Sequence, residues 1–136
     1  MTTISAVRTT VLVCITCRAS TDPADAPRKG PQLARATQQA LGEAADVDVL
    51  RVRCLGNCSR GLSAALCREK AWTYVFGHLD PDNDGPALIA GARLFAESVD
   101  GLLPWRNRPE PLKRGLIARV PPLGFPGEPP DSPETP

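Results

Sequence analysis

Apolar and β-branched residues run together from Thr9 to Val13, and the run predicts a short buried strand that ends at Cys14. Arg18 to Lys29 is polar, carries Pro23 and Pro27, and reads as a loop. Gly30-Pro31 then opens a helix, because proline at the first helical position gives up an amide that has no partner there. Leu33, Thr37, Ala40, Leu41 and Ala44 recur on one face of that helix. Val47 to Arg53 predicts a second strand, with Leu50 and Val52 on one side, Arg51 and Arg53 on the other, and Cys54 continuing the Leu50 side.

A loop with two glycines, Cys54 to Gly61, separates this strand from a third at Ser63 to Cys67. After the polar turn Arg68-Glu69-Lys70, a fourth strand spans Ala71 to Phe76, with Trp72, Tyr74 and Phe76 on one face. Pro86 opens a second helix whose apolar face steps through Leu88, Ala92, Phe95 and Val99 and closes at Gly101. The order β-α-β-β-β-α predicts an α/β domain, a plan that can place a helix on each face of a small mixed sheet.

Composition divides the chain. Ten of its 15 prolines lie from Pro104 onward, so the domain is expected over residues 1–103 of the 136. Residues 104–120 form an extended basic segment with Arg106, Arg108, Lys113, Arg114 and Arg119 against Glu110. It is read as a strap over the domain's own surface or as a docking strap for an acidic redox partner. Residues 121–136 hold seven prolines, three acids and no base, too little apolar surface to order itself, and are expected to be disordered. Sixteen Lys and Arg against fifteen Asp and Glu leave +1, which argues against a nucleic-acid binder held by bulk charge. No stretch approaches the roughly 18 apolar residues of a membrane span. The first eight residues have no apolar run long enough for a signal peptide. The expected compartment is therefore the cytoplasm, where thiols stay reduced and clustered cysteines read as metal ligands or redox-active thiols.

Cys14 and Cys17 leave the first predicted strand as a C-x2-C pair, and Cys54 and Cys58 leave the second as C-x3-C. If those strands are neighbours, four thiolates converge on one edge, and thiolate is the soft donor that iron–sulfur clusters and zinc select. Gly56 and Gly61 suit a loop that must turn tightly or approach a buried group closely. Three readings of the four cysteines stay open on these grounds. They are a 2Fe-2S cluster, a four-thiolate zinc site, and a dithiol oxidoreductase using Cys14 and Cys17. Simple burial of small side chains is the plain alternative, and it is the reading taken for Cys67.

The succession of strand, cysteines, helix, strand, Cys54-Leu55-Gly56-Asn57-Cys58, two strands and a helix resembles the thioredoxin-like 2Fe-2S ferredoxins. That resemblance implies a thioredoxin-like fold, cluster ligands at Cys14, Cys17, Cys54 and Cys58, and electron transfer without substrate chemistry, so no enzyme. The segments Leu55-Gly56-Asn57-Cys58-Ser59-Arg60-Gly61, Trp72-Thr73-Tyr74-Val75-Phe76 and Pro104-Trp105-Arg106 resemble more narrowly a bacterial family of unknown function described mostly as metal-binding. Its members often sit near cobalamin-biosynthesis genes, which implies a link to cobalamin or metal metabolism. The expected partners are a redox protein and a second copy of the chain, with no nucleic acid and no membrane. One departure stands out: the first pair is spaced more tightly than in such ferredoxins, which strengthens the zinc and dithiol readings.

Two weaker motifs carry no function. Asp80, Asp82 and Asp84 imitate the start of a calcium loop, but Gly91 stands where a bidentate glutamate is needed. His78 is the only histidine, at a loop start, and receives no role.

Overall fold

The computed structural model describes residues 8–19, 22, 23 and 25–131. Five strands form one sheet: β1 Thr9–Cys14, β2 Val47–Val52, β3 Ala64–Arg68, β4 Thr73–Phe76 and β5 Leu116–Val120. Three helices accompany them, α1 Gly30–Leu41, α2 Gly85–Ala96 and the one-turn α3 Pro111–Arg114, with a 3-10 turn at Cys58–Arg60. The order across the sheet is β2-β1-β3-β4-β5. Only β1 and β2 run parallel, from Thr9 opposite Val47 to Cys14 opposite Val52, and α1 is the crossover that parallel strands require. The other neighbours are antiparallel.

Registration assigns the faces. Val11, Val13, Leu66, Tyr74 and Phe76 share one face and are buried, and Leu33, Leu88, Phe95 and Leu112 complete the core above them. Of the placements the element order allowed, the helices take the one-sided one. A Cβ at Gly85 would lie 2.7 Å from the Ala36 carbonyl carbon, so α1 and α2 touch backbone to backbone and share one side of the sheet. Leu12, Leu50, Val52, Cys67, Val75 and Val120 point to the other side, where Leu50 and Val120 are each 53% exposed.

Both long helices end a turn earlier than their apolar periodicity suggests. Helix α1 stops at Leu41, where Gly42 turns at φ +64° and its N–H returns to the Gln38 carbonyl; Ala44 is then exposed. Past α2, the Asp100 carboxylate accepts from the Ser98 hydroxyl and the Leu102 N–H. This local turn competes with further helix and leaves Val99 fully exposed.

The segment 104–120 is not a strap laid outside the domain. It continues the fold, since β5 pairs with β4 and α3 buries Leu112 against Gly91. Arg108 is buried at its root, donating to the carbonyls of Leu103 and Pro104 with its guanidinium 5.7 Å from the centre of the Tyr74 ring. The folded unit therefore runs to Val120, past the boundary expected at 103. Residues 121–131 follow it largely exposed, with the Phe125 ring edge-on to Trp72 at 5.5 Å. The remainder of the segment expected to be disordered, 132–136, lies outside the described residues, as do 1–7.

Candidate metal centre

Because β1 and β2 are parallel neighbours in register, both cysteine pairs start from the same edge of the sheet. Cys14 is the last residue of β1; its N–H donates to Ser63, and the next amide, Ile15, still donates to Val52. The chain then turns, and the Cys17 carbonyl accepts from Lys29 and Gly30, which fixes Cys17 against the start of α1. Two glycines let these loops close. A Cβ at Gly30 would lie 2.2 Å from the Cys14 carbonyl oxygen. One at Gly61 would lie 2.3 Å from that of Arg18 and 3.3 Å from Cys17 Cβ.

The first pair is an inner pair. Cys14 and Cys17 are 1% and 3% exposed, with their sulfurs 3.0 Å apart as free thiols. Burial pushes the Cys17 thiol up to about 12, with the hydrogen bond and charge of Cys14 adding to it. Burial also acts to raise Cys14, but hydrogen bonds from the Cys17 thiol, from Thr16 and from the Leu55 N–H outweigh it and leave Cys14 below the ordinary thiol value. Cys14 is thus the sulfur that both loops address: it lies 3.7 Å from the Thr16 hydroxyl and 3.7 Å from the Arg53 carbonyl. The Thr16 hydroxyl itself donates to the Arg53 carbonyl and ties one loop to the other.

The second pair is an outer pair. Cys54 and Cys58 are exposed. Gly56, at φ +75°, turns its N–H onto Cys54 Sγ at 3.2 Å. The hydrogen bond to Cys54 and that residue's charge hold the Cys58 thiol above its usual value, with burial and the charge of Cys14 acting the same way and Arg28 opposing. The interval between the two cysteines is pinned from below, where Asn57 Nδ2 donates to the Ser63 hydroxyl at 2.8 Å.

Among the described residues, no three His, Cys, Asp or Glu side chains are gathered to hold a single metal ion. The cysteines form two pairs, a buried one and an exposed one. Two thiolates on one tetrahedral metal at ~2.3 Å stand roughly 3.8 Å apart, so the inner pair, at 3.0 Å, would need to open by about 0.8 Å. The donor set is one that would suit a sulfur-ligated metal group, since the two pairs leave neighbouring strand ends. Peptide N–H groups of Leu55 and Gly56 already point at sulfur, the arrangement that sets the electronics of such groups.

Cys67 stands apart. It lies opposite Thr10, four residues along β1 from Cys14, about 13 Å away by strand rise, half-buried on the helix-free face. His78 also stays outside the site, although its N–H donates to the Arg60 carbonyl. Thr16, Arg18 and Arg28 belong to the site and the sequence pattern did not single them out. The only local signal was their position inside or beside a cysteine loop.

The molecule, a helix-backed sheet with a parallel β1–α1–β2 unit and an antiparallel remainder, has a thioredoxin-like α/β fold. Over residues 11–122 it matches the family described as "Protein of unknown function (DUF1636)", and the chain belongs to that family. Among solved structures it is similar to a thioredoxin-like 2Fe-2S ferredoxin from Aquifex aeolicus, at 15% identity and a TM-score of 0.55. That match covers 87% of this chain and 97% of the other. A 1.5 Å structure of the wild-type thioredoxin-like 2Fe-2S ferredoxin from the same organism gives 13% identity and a TM-score of 0.50, covering 82% and 97%. At such identities the likeness is one of fold. No curated protein matches the chain. Among the described residues, no helix is long and apolar enough to cross a membrane.

Proposed function

We propose that this chain is a small electron-transfer protein that carries a 2Fe-2S cluster on Cys14, Cys17, Cys54 and Cys58 in a reducing compartment such as the cytoplasm. The observation that carries the reading is the split of the four cysteines into a buried and an exposed pair on adjacent strand ends. The ferredoxins that share the fold support it. The bound cluster would supply a one-electron couple. The chain's own residues do the rest: the inner pair anchors it out of water, the Leu55 and Gly56 amides donate to sulfur, and the exposed pair leaves one side open to a partner. Nothing in this role requires chemistry on a substrate.

The dithiol reading has a structural weakness. A thiol-exchange enzyme needs an accessible attacking sulfur, and both Cys14 and Cys17 are buried. The test is anaerobic purification with an absorption spectrum and metal analysis on one sample. About two irons and two sulfides per chain, with Cys58→Ser losing them, support the cluster. About one zinc per chain and no colour replaces it with a non-redox metal-binding module.

A further inference from the structure

The two cysteine loops carry an uneven charge. Residues 15–29 hold Arg18, Arg28 and Lys29 against Asp22 and Asp25, and residues 53–63 hold Arg53 and Arg60 with no acid. The loops therefore sum to +3 in a chain whose whole sum is +1. Only Lys29 has a carboxylate partner among the described residues, Asp22 at 3.4 Å. Arg18 and Arg28 are steadied differently, by donating to the carbonyls of Ala26 and Thr16. A guanidinium held by a neutral carbonyl keeps its full charge and its other N–H groups for a second partner.

Between these two arginines lies a pocket of about 240 Å3, walled by Arg18 and Arg28 and reaching Cys17 and Cys58. Asp22 also lines it, but its charge is already committed to Lys29 and its oxygen accepts the Ala19 N–H. The space takes a side chain or two. We infer that this edge is the docking surface for an acidic protein, one of whose carboxylate side chains enters between Arg18 and Arg28 beside Cys17 and Cys58. The inference rests on the reading of the cysteines as an electron-carrying centre, and it names the chemistry of that centre's partner. A partner seated there covers the exposed cysteine pair, the short approach that single-electron exchange needs. Its opposite charge speeds encounter and fixes orientation.

A polyanionic nucleic acid is the other occupant a basic edge can take. The two loops contain no aromatic residue on which bases could stack, and the chain is nearly neutral overall. The remaining possibility is that the arginines act on a bound cluster alone, offsetting its negative charge.

The experiment uses the full chain purified anaerobically, with iron and sulfide measured on the same sample. It is titrated with polyglutamate, polylysine and a single-stranded RNA at about 20 and about 300 mM salt. The expected result is binding to polyglutamate at low salt that fades at high salt, weaker binding to RNA, and none to polylysine. Hydrogen exchange in the polyglutamate complex should slow at residues 15–19 and 53–61. Arg18→Glu with Arg28→Glu should weaken polyglutamate binding by about tenfold or more. Arg106→Glu with Arg119→Glu, the same change of net charge elsewhere, should leave it within about twofold. The milder Arg28→Gln should lie between, and it serves if the double reversal does not fold.

Equal loss in the two double variants would overturn the inference, as would RNA binding as tight as polyglutamate. So would a shift in reduction potential in Arg28→Gln with polyglutamate binding unchanged, because the charge would then serve the cluster alone. Iron-free protein that still binds polyglutamate through these arginines supports the docking surface while removing the electron-transfer reading, so the two fail separately.

Discussion

Two glycines in one loop perform different work. Gly56 needs its conformation: at φ +75° it meets nothing within 4 Å, so Gly56→Ala adds backbone strain of about 1–2 kcal/mol but no collision. Gly61 needs its size, because a Cβ there would meet the Arg18 carbonyl and drive the two cysteine loops apart. Iron content per chain should therefore fall sharply in Gly61→Ala and survive in Gly56→Ala, while melting temperature drops in both. The same scale decides thiol reactivity. In metal-free protein, alkylation followed by mass spectrometry should label Cys54 and Cys58 first and reach Cys14 and Cys17 only on unfolding, since these are nearly inaccessible. Early labelling of Cys14 would revive the dithiol reading. The sequence showed both glycines as loop residues and all four cysteines as candidates. It did not show which glycine faces another loop, or that one pair is inside and the other outside. Those facts depend on contacts between residues some forty positions apart in the chain.

At the level of elements, β1, α1, β2 and the second cysteine loop were legible because each has a local signature: a β-branched run, a proline at the helix start, glycines within the loop. Strand β5 was not. Its sequence Leu116-Ile117-Ala118-Arg119-Val120 is only partly buried, and prolines and arginines upstream give the region the texture of a linker. What makes it a strand is the open edge of β4, which supplies partners that the segment's own pattern does not announce. Truncation separates these pieces. Among the described residues, ending the chain after Val120 removes little more than the Phe125–Trp72 contact, and it should cost at most about 1.5 kcal/mol in denaturant unfolding. Ending it after Leu103 removes α3 and β5, bares Gly91 and the β4 edge, and should give insoluble or unfolded protein. Leu112→Ala, which empties one fully buried side chain above Gly91, should cost about 2–5 kcal/mol by the same measurement.

Across the described residues, the helices and the core occupy one side of the sheet, the two cysteine pairs leave one end of it, and the other face is left uncovered by them. Leu50→Lys on that uncovered face, at a side chain already half in water, should leave melting temperature nearly unchanged. Leu66→Lys, two strands away on the covered face and fully buried, should abolish folding. Sedimentation of Leu50→Lys beside the parent chain checks whether the uncovered face also joins two copies. The layered plan itself followed from the element order. The placement of both helices on one side did not, because that depends on the backbone approach at Gly85, and a lone glycine before a proline reads equally well as an ordinary helix start.

Strand order has a temporal side. The sheet is laid down from one edge to the other: the two strands that deliver the cysteines are the earliest, and the one that closes the far edge is the last. On a ribosome, all four thiols emerge some sixty residues before the closing strand does. A nascent chain can thus present its complete sulfur set to a metal donor while its opposite flank is still an unpaired ribbon. On the proposed reading, the growing molecule is in that interval at once ready for a cluster and most prone to stick to its neighbours.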